Sequence, residues 1–355
     1  MSQEQGFPTE LTTTFNPLTD NVTYVPRNTR DSSVESYFLS VQRELAKNIR
    51  VDIAFVGNHG LKLQGFVNAN QLNPAVGFAQ ADRPVPKFSS NYNSLQVRYE
   101  QRFLGGLTLL NSFTWSHALD MASASPEGNT QSPQGSNNIR GDYGQSDYNL
   151  PIDNITSIVY ELPIGYGRHY LSNSHGIVEA ALGGWQLSTI NTMQSGTPFN
   201  LTYTPASSNQ VSPTIANSFR GANLYRPNVV PGVKKIQHTQ LANGFIQYVN
   251  LTAFALPPTT AGNAAGAALA SPFGNASRNT AFYQTDLSLN KKFSTPIESL
   301  KVEFRSEFYN ILNHTNLYLP STVGGTVGAS TTTTGGQITS TFQPRVIQFA
   351  VKILY

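Results

Sequence analysis

Leu300–Phe308 reads LKVEFRSEF. Leu300, Val302, Phe304 and Phe308 fall on one side of an extended chain, and Lys301, Glu303, Arg305 and Glu307 fall on the other, because successive side chains of a strand point to opposite faces. Such alternation predicts a strand from a sheet whose two faces meet chemically different surroundings. Leu95–Phe103 (LQVRYEQRF) repeats it, with Leu95, Val97, Tyr99, Gln101 and Phe103 against Gln96, Arg98, Glu100 and Arg102. In Ile49–Phe55 (IRVDIAF), Ile49, Val51, Ile53 and Phe55 oppose Arg50, Asp52 and Ala54. A helical period of 3.6 is hard to find anywhere, so the sequence predicts an all-β fold.

The connections fall into two classes that alternate along the chain. A strand near Tyr37–Leu45 meets Ile49 across 46–48, and Phe103 meets Leu107 across 104–106, as hairpins do. Two further close connections join Asn154–Leu162 to a strand starting at Trp185, and Asp286–Phe293 to Leu300–Leu312. Between these pairs lie long stretches rich in Gly, Ser, Asn, Thr and Pro, at about 57–93, 117–153, 195–283 and 313–343. Ala261–Ala270 and Ser330–Gly336 (STTTTGG) within them are low in complexity. A compact soluble domain rarely carries four connections beyond about 12 to 15 residues. Short turns at one edge and long loops at the other predict an antiparallel up-and-down transmembrane β-barrel, with periplasmic turns and extracellular loops.

A β-sandwich, used at the cell surface for adhesion or glycan binding, would also give alternating strands and is the alternative. Three features favour the membrane. Aromatic residues sit near strand ends, where rings favour the headgroup level: Phe55, Phe103, Phe113, Trp115, Tyr160, Trp185, Phe293 and Tyr355. The short and long connections alternate without exception. The chain closes on Arg345–Tyr355 (RVIQFAVKILY), where Ile347, Phe349, Val351, Ile353 and Tyr355 make one apolar face running to the last residue.

Composition agrees. Of 355 residues only 12% are Asp, Glu, Lys or Arg, against about 25% in ordinary soluble domains. A barrel keeps charge off its lipid-facing half, since Lys or Arg at the bilayer midplane costs about 2 to 4 kcal/mol. The 23 basic and 20 acidic residues are scattered, with no block of like charge to track a phosphate backbone, so nucleic acid is not an expected partner. With no cysteine, disulfides, thiolate metal sites and thiol nucleophiles are excluded. Met1–Glu10 lacks the basic start and apolar core of a signal peptide.

No enzymatic motif appears. The sequence has no GxSxG, no Walker-type GxxxxGK and no GxGxxG, and its six histidines form no HxH or HxxxH pair. Ser116 and His117 are adjacent, which sends their side chains to opposite faces of a strand. Arg140-Gly141-Asp142 is the adhesion-type tripeptide in an expected extracellular loop. Asp142, Asp147 and Asp153 gather oxygen ligands in the same loop, but their spacing matches no calcium loop, so solvated carboxylates are expected and no cofactor is implied. Arg50, Arg98, Arg102, Lys301, Glu303, Arg305 and Glu307 are expected to face the lumen, most of them paired across neighbouring strands.

Ser40–Lys62 (SVQRELAKNIRVDIAFVGNHGLK), Asn91–Ala118, Tyr160–Gly167 (YELPIGYG), Gly183–Phe199 (GGWQLSTINTMQSGTPF), Glu303–Asn316 and the closing PRVIQFAVKILY resemble the C-terminal barrel of Oar-like TonB-dependent receptors of the acidobacterial type. The resemblance runs in order along nearly the whole chain. It implies a Gram-negative outer-membrane barrel of about 22 strands holding a plug domain, which binds a ligand at its loops and admits it by a gated path, without catalysis. Its implied partners are outer-membrane lipid, the barrel-assembly machinery through the strand ending at Tyr355, and the remainder of the receptor. TonB would act only through segments that, like the plug and a signal peptide, are not in this sequence. About nine strands are legible, the first and last both descending. Nine cannot close by antiparallel pairing, so the expectation is an incomplete barrel that needs about thirteen more strands.

Overall fold

The computed structural model describes residues 21–23, 29–68, 80–123, 136, 138–202, 227–255, 277–295, 297, 300–318, 322–324 and 335–355. One antiparallel sheet runs through them in chain order: β1 (Ser33–Ala46), β2 (Ile49–Asn68), β3 (Gln80–Leu104), β4 (Leu107–Asp120), β5 (Ile152–Glu161), β6 (Trp185–Gln194), β7 (Phe282–Ser294), β8 (Lys301–Tyr309) and β9 (Val346–Leu354). Each strand pairs with its sequence neighbour, so the topology is an up-and-down meander. β1 and β9 are its two ends and do not pair with each other among the described residues. The barrel is open, as strand parity predicts.

Register assigns the faces. Arg50 lies opposite Glu100, Asp52 opposite Arg98, and Glu303 between Lys292 and Lys352. On the other face Phe55, Leu95, Trp115 and Ile152 make one cross-strand row, and Trp185, Lys291, Phe304 and Val351 make another. A single residue of slip would exchange the two sets, which is why so regular an alternation fixes the register strongly. Gly57 shows how closely the apolar face packs: the Tyr37 ring lies across it, and a Cβ there would stand 2.1 Å from Tyr37 Cε2. The Tyr37 hydroxyl then donates to Asn93 Oδ1 at 2.7 Å.

The apolar face is bare of protein at Trp115, Phe349 and Val351, which are 60%, 67% and 67% exposed. A sandwich would cover such a face with a second sheet. Among the described residues no second sheet lies over it, which speaks against the sandwich alternative. An apolar surface of this extent needs a non-aqueous neighbour.

The strands outrun their expected ends. β2 continues to Asn68 and β3 begins at Gln80, so much of the stretch read as the first long loop is strand, and Phe55 lies inside its strand. Beyond the bilayer both faces meet water or loops, and the alternation that marks a strand is lost. The stretch between β6 and β7 is also more ordered than its composition suggests. Pro198–Thr202, Ile236–Gln240, Ile246–Val249 and Ser277–Arg278 form short strands, with Thr322–Gly324 and Gln337–Ile338 joining from the last long connection. They enclose a second core of Phe199, Leu201, Tyr248, Val249, Ala253, Phe254 and Ile338. Residues 261–270 and 330–334, read as low-complexity loop, lie outside the described residues. One short helix, α1 (Gly176–Leu182), occupies the connection between β5 and β6, where the sequence suggested only a turn.

Candidate functional site

The charged face gathers its ions at the end of the sheet that carries the short turns. Glu100 on β3 is the hub of one cluster. Its carboxylate accepts from Arg102 Nε at 2.5 Å and Arg50 Nη2 at 2.8 Å, with Arg98 Nη2 at 3.8 Å. Asp52 adds a contact of 3.8 Å to Arg50. A second cluster centres on Glu303, which accepts from Arg305 Nε at 2.5 Å and lies between Lys292 and Lys352 in register. Glu161, Arg168, Gln186, Asn290, Lys292, Glu303 and Arg305 border a cleft of about 280 Å³ on this side. Arg168 Nη2 donates to Glu161 at 2.9 Å.

Arg50, Arg98, Arg102, Lys301, Glu303 and Arg305 thus lie toward the turn end of the sheet, with Glu307 nearer the loop end of β8, and register sets all but Arg102 on one face. The structure brings the first three together around Glu100, and Arg305 onto Glu303. The Tyr309 hydroxyl donates to Glu307 at 3.1 Å. Of the aromatic residues singled out, Trp185, Phe293, Phe103 and Tyr355 lie at or near strand ends, whereas Phe55 and Trp115 lie within their strands. Trp185 packs edge-on against Phe304 at 6.2 Å, and Phe304 stacks on Phe349 at 6.4 Å.

The opposite end carries the long connections and a polar crown. Asp120, closing β4, accepts from Ser123 Oγ at 2.9 Å, and Ser123 Oγ in turn accepts from the Asp147 N–H at 2.9 Å. Tyr148 donates to the Ser123 carbonyl at 2.5 Å. Burial, with the Asp120 charge adding to it, raises the Asp147 carboxyl to about 6. Asn149 is fully buried; its Oδ1 accepts from the Ala118 N–H and its Nδ2 donates to Gln145.

Arg278 reaches into this loop from the Ser277–Arg278 strand. Its Nη1 donates to the carbonyls of Asn149 at 2.9 Å and Gly196 at 3.1 Å, and its Nη2 donates to Gln145 Oε1. Sequence reasoning missed this residue. The available signal is its isolation: between Lys235 and Asp286 it is the one Asp, Glu, Lys or Arg. A lone ion in a long neutral stretch is there to join something.

The three loop aspartates do not assemble into a ligand set. Asp142 ends a short 3-10 helix (Ile139–Asp142) and is 1% exposed. Asp147 belongs to the Ser123 network, and Asp153 on β5 accepts from Gln194 Nε2 at 3.1 Å. Among the described residues no three His, Asp or Glu side chains are placed to hold a metal ion. Burial of Asp142 also withholds the carboxylate that an Arg-Gly-Asp adhesion site would present. Ser116 and His117 face opposite sides of β4, Ser116 opposite Ser94 and His117 opposite Asn93.

Comparison with known proteins adds the family. A sequence model described as "Outer membrane beta barrel domain" matches residues 1–348. In fold the chain is similar to the outer membrane transporter YddB from Escherichia coli, with a TM-score of 0.47, 9% identity and coverage of 94% of this chain and 34% of that one. It is similar also to BauA, the ferric preacinetobactin receptor from Acinetobacter baumannii (TM-score 0.41, 7% identity, 91% and 29% covered). A third is FpvA of P. aeruginosa, solved in complex with a heterologous pyoverdine and iron (TM-score 0.40, 9% identity, 90% and 26% covered). The chain spans about a third of the first of these structures. No curated protein matches it.

Proposed function

The chain belongs to the outer membrane beta barrel domain family, and from that membership we propose that it is the C-terminal portion of an Oar-like TonB-dependent receptor, which binds a ligand at its extracellular loops and passes it through a gated lumen. The outer-membrane location follows from the family itself. The observation that carries the receptor reading is the open sheet: nine antiparallel strands whose first and last run in the same direction and whose edges are free of each other. Such a sheet is a sector of a larger ring, as a receptor barrel of about 22 strands requires.

The charged face becomes the lumen wall. Its paired clusters around Glu100 and Glu303 present fixed polar groups to a plug or to a passing solute, and the cross-strand ion pairs remain satisfied when the lumen is empty. Arg50, Arg98, Arg102, Lys301, Glu303, Arg305 and Glu307 are proposed to line it. The crown around Arg278 and Asp147 holds the long connections in one arrangement for ligand capture. Phe103, Trp185, Phe293 and Tyr355 are proposed to stand at the periplasmic membrane interface, and the strand ending at Tyr355 to be read by the barrel-assembly machinery. Energy from TonB would arrive through a plug supplied by the rest of the receptor. The protein is a conduit and not a catalyst.

Expression of this chain by itself tests the reading. The expected outcome is membrane-associated protein that does not form a heat-modifiable, protease-resistant barrel. A closed barrel of that kind in detergent would overturn the proposal that the chain is one sector of a larger receptor. A folded monomer in a detergent-free soluble fraction would overturn the membrane reading altogether.

A further inference from the structure

The connection between β5 and β6 is out of proportion to the others at its end of the sheet. β1 and β2 are joined across 47–48, β3 and β4 across 105–106, and β7 and β8 across 295–300, whereas 162–184 separates β5 from β6. This segment has a local fold of its own. The Gly165 N–H donates to the Tyr170 carbonyl and the Tyr170 N–H to the Pro163 carbonyl, each within 2.9 Å. α1 follows, and it leaves Ile177, Val178 and Leu182 exposed, Ile177 to 87%. Tyr166, Tyr170 and Leu171 are exposed beside it.

α1 is fastened to the apolar face of the sheet. Lys291 stands on that face, between Trp185 and Phe304 in register, yet it is only 4% exposed. Its Nζ donates to the carbonyls of Glu179 at 2.9 Å and Gly183 at 2.5 Å, at the C-terminal end of α1 where the helix leaves carbonyls unpaired. Trp185 Nε1 donates to the Ala181 carbonyl at 2.8 Å. From within the connection, the Glu179 carboxylate accepts from Ser174 Oγ at 2.5 Å and the Tyr166 N–H at 2.6 Å. The Glu179 carboxylate packs over Gly183, where a Cβ would lie 2.1 Å from Oε1.

We propose that α1 of the 162–184 connection is an interfacial membrane anchor, with Ile177, Val178 and Leu182 seated in the phospholipid of the periplasmic leaflet. The inference rests on membership of the outer-membrane barrel family and stands whatever ligand the barrel passes. Three observations carry it. α1 is held on the apolar face, the face that family membership gives to lipid, and not on the charged one. Exposed apolar residues, Val351 and Ile353 of β9 and Tyr355 just after it, stand toward the same end of that face. Lys291 would be an unpaired cation at the lipid boundary, and α1 removes that cost by roofing it with carbonyls. A short helix lying in the interface plane with its apolar side down is the arrangement such a surface fits.

This chain has no cysteine, so a single thiol introduced into it can be labelled with an environment-sensitive fluorophore once the chain is inserted in phosphatidylethanolamine and phosphatidylglycerol vesicles. For Ile177→Cys the expected result is quenching by lipids brominated on the upper acyl chain and protection from aqueous iodide. Lys47→Cys, in the exposed turn between β1 and β2, should show the reverse. Iodide quenching at Ile177→Cys would overturn the proposal. Protection from both quenchers would overturn it too, since a protein surface would then cover α1. Lys291→Met should move the Ile177→Cys label from lipid to iodide quenching. Unchanged lipid quenching there would overturn the tether. If Lys291→Met fails to assemble, the Ile177→Cys result decides alone.

Discussion

At the scale of single residues, the crown holds a buried carboxyl. Asp147 is carried by a loop that Ser123 and Tyr148 pin to the end of β4, and burial beside Asp120 raises its carboxyl to about 6. The folded loop therefore holds a proton at a pH where the unfolded chain, with an ordinary carboxyl near 4, does not. Loop stability should rise as pH falls from 7 through about 6, and the gain should level off near the unfolded value. Hydrogen-exchange protection factors for the amides of 146–149 should be larger at pH 5 than at pH 7, and Asp147→Asn should remove the difference. Greater protection at pH 7 would mean the carboxylate is stabilised, not penalised, by its site. Arg278 acts in the same region by hydrogen bonding. Arg278→Ala leaves the Asn149 and Gly196 carbonyls without their donor, at about 1 to 3 kcal/mol for each buried acceptor left unmatched. The expected readout is faster proteolysis within 138–150 with the strands still protected. Neither residue was legible in the sequence as more than a loop ion, because their partners are remote: Ser123 lies 24 residues from Asp147, and Asn149 lies 129 from Arg278.

At the scale of elements, legibility follows the environment of each face. Lys301–Tyr309 was readable as a strand because one side is apolar and the other charged, so each residue type reports its face. β2 was readable only to about Phe55: from Gly57 onward (GNHGLKLQG) the pattern dissolves while the backbone continues to pair, as Asn58 with Tyr92 and Gly60 with Ser90. α1 escaped notice because GIVEAAL gives too few turns for a helical period to emerge. The face assignment predicts an asymmetric pair of variants. Phe304 lies against Trp185 and Phe349 on the apolar face, and Lys301 lies on the charged one. Phe304→Arg should block membrane assembly, at about 2 to 4 kcal/mol for a cation facing lipid at depth. Lys301→Arg should assemble normally. Recovery of the chain in the membrane fraction distinguishes them, and equal behaviour of the two variants would mean that the faces are assigned wrongly.

At the scale of the whole molecule, the constraint is parity. β1 and β9 run the same way, so any ring built by antiparallel pairing needs an odd number of further strands between them. Copies of this chain cannot supply them. Proteins in one membrane share one orientation, so β1 of one copy would meet β9 of another in parallel, which an up-and-down barrel does not allow. Leaving the edges bare is no solution, since each backbone group unpaired in hydrocarbon costs several kcal/mol. On the proposed receptor reading, the exposed edge strand β1, with Phe38 at 79% and Leu39 at 70%, is where an additional strand would dock. On the proposed reading, a receptor barrel of about 22 strands would supply about thirteen, an odd number. The prediction is a ladder. Joined to all of the receptor's preceding strands, the chain should give a heat-modifiable barrel; with one preceding strand removed the count becomes even and closure should fail; with a hairpin removed the count is odd again and closure should return in part. Closure that ignored parity would require β1 and β9 to pair in parallel, and cross-linking between cysteines placed at Leu39 and Val351 would reveal it directly.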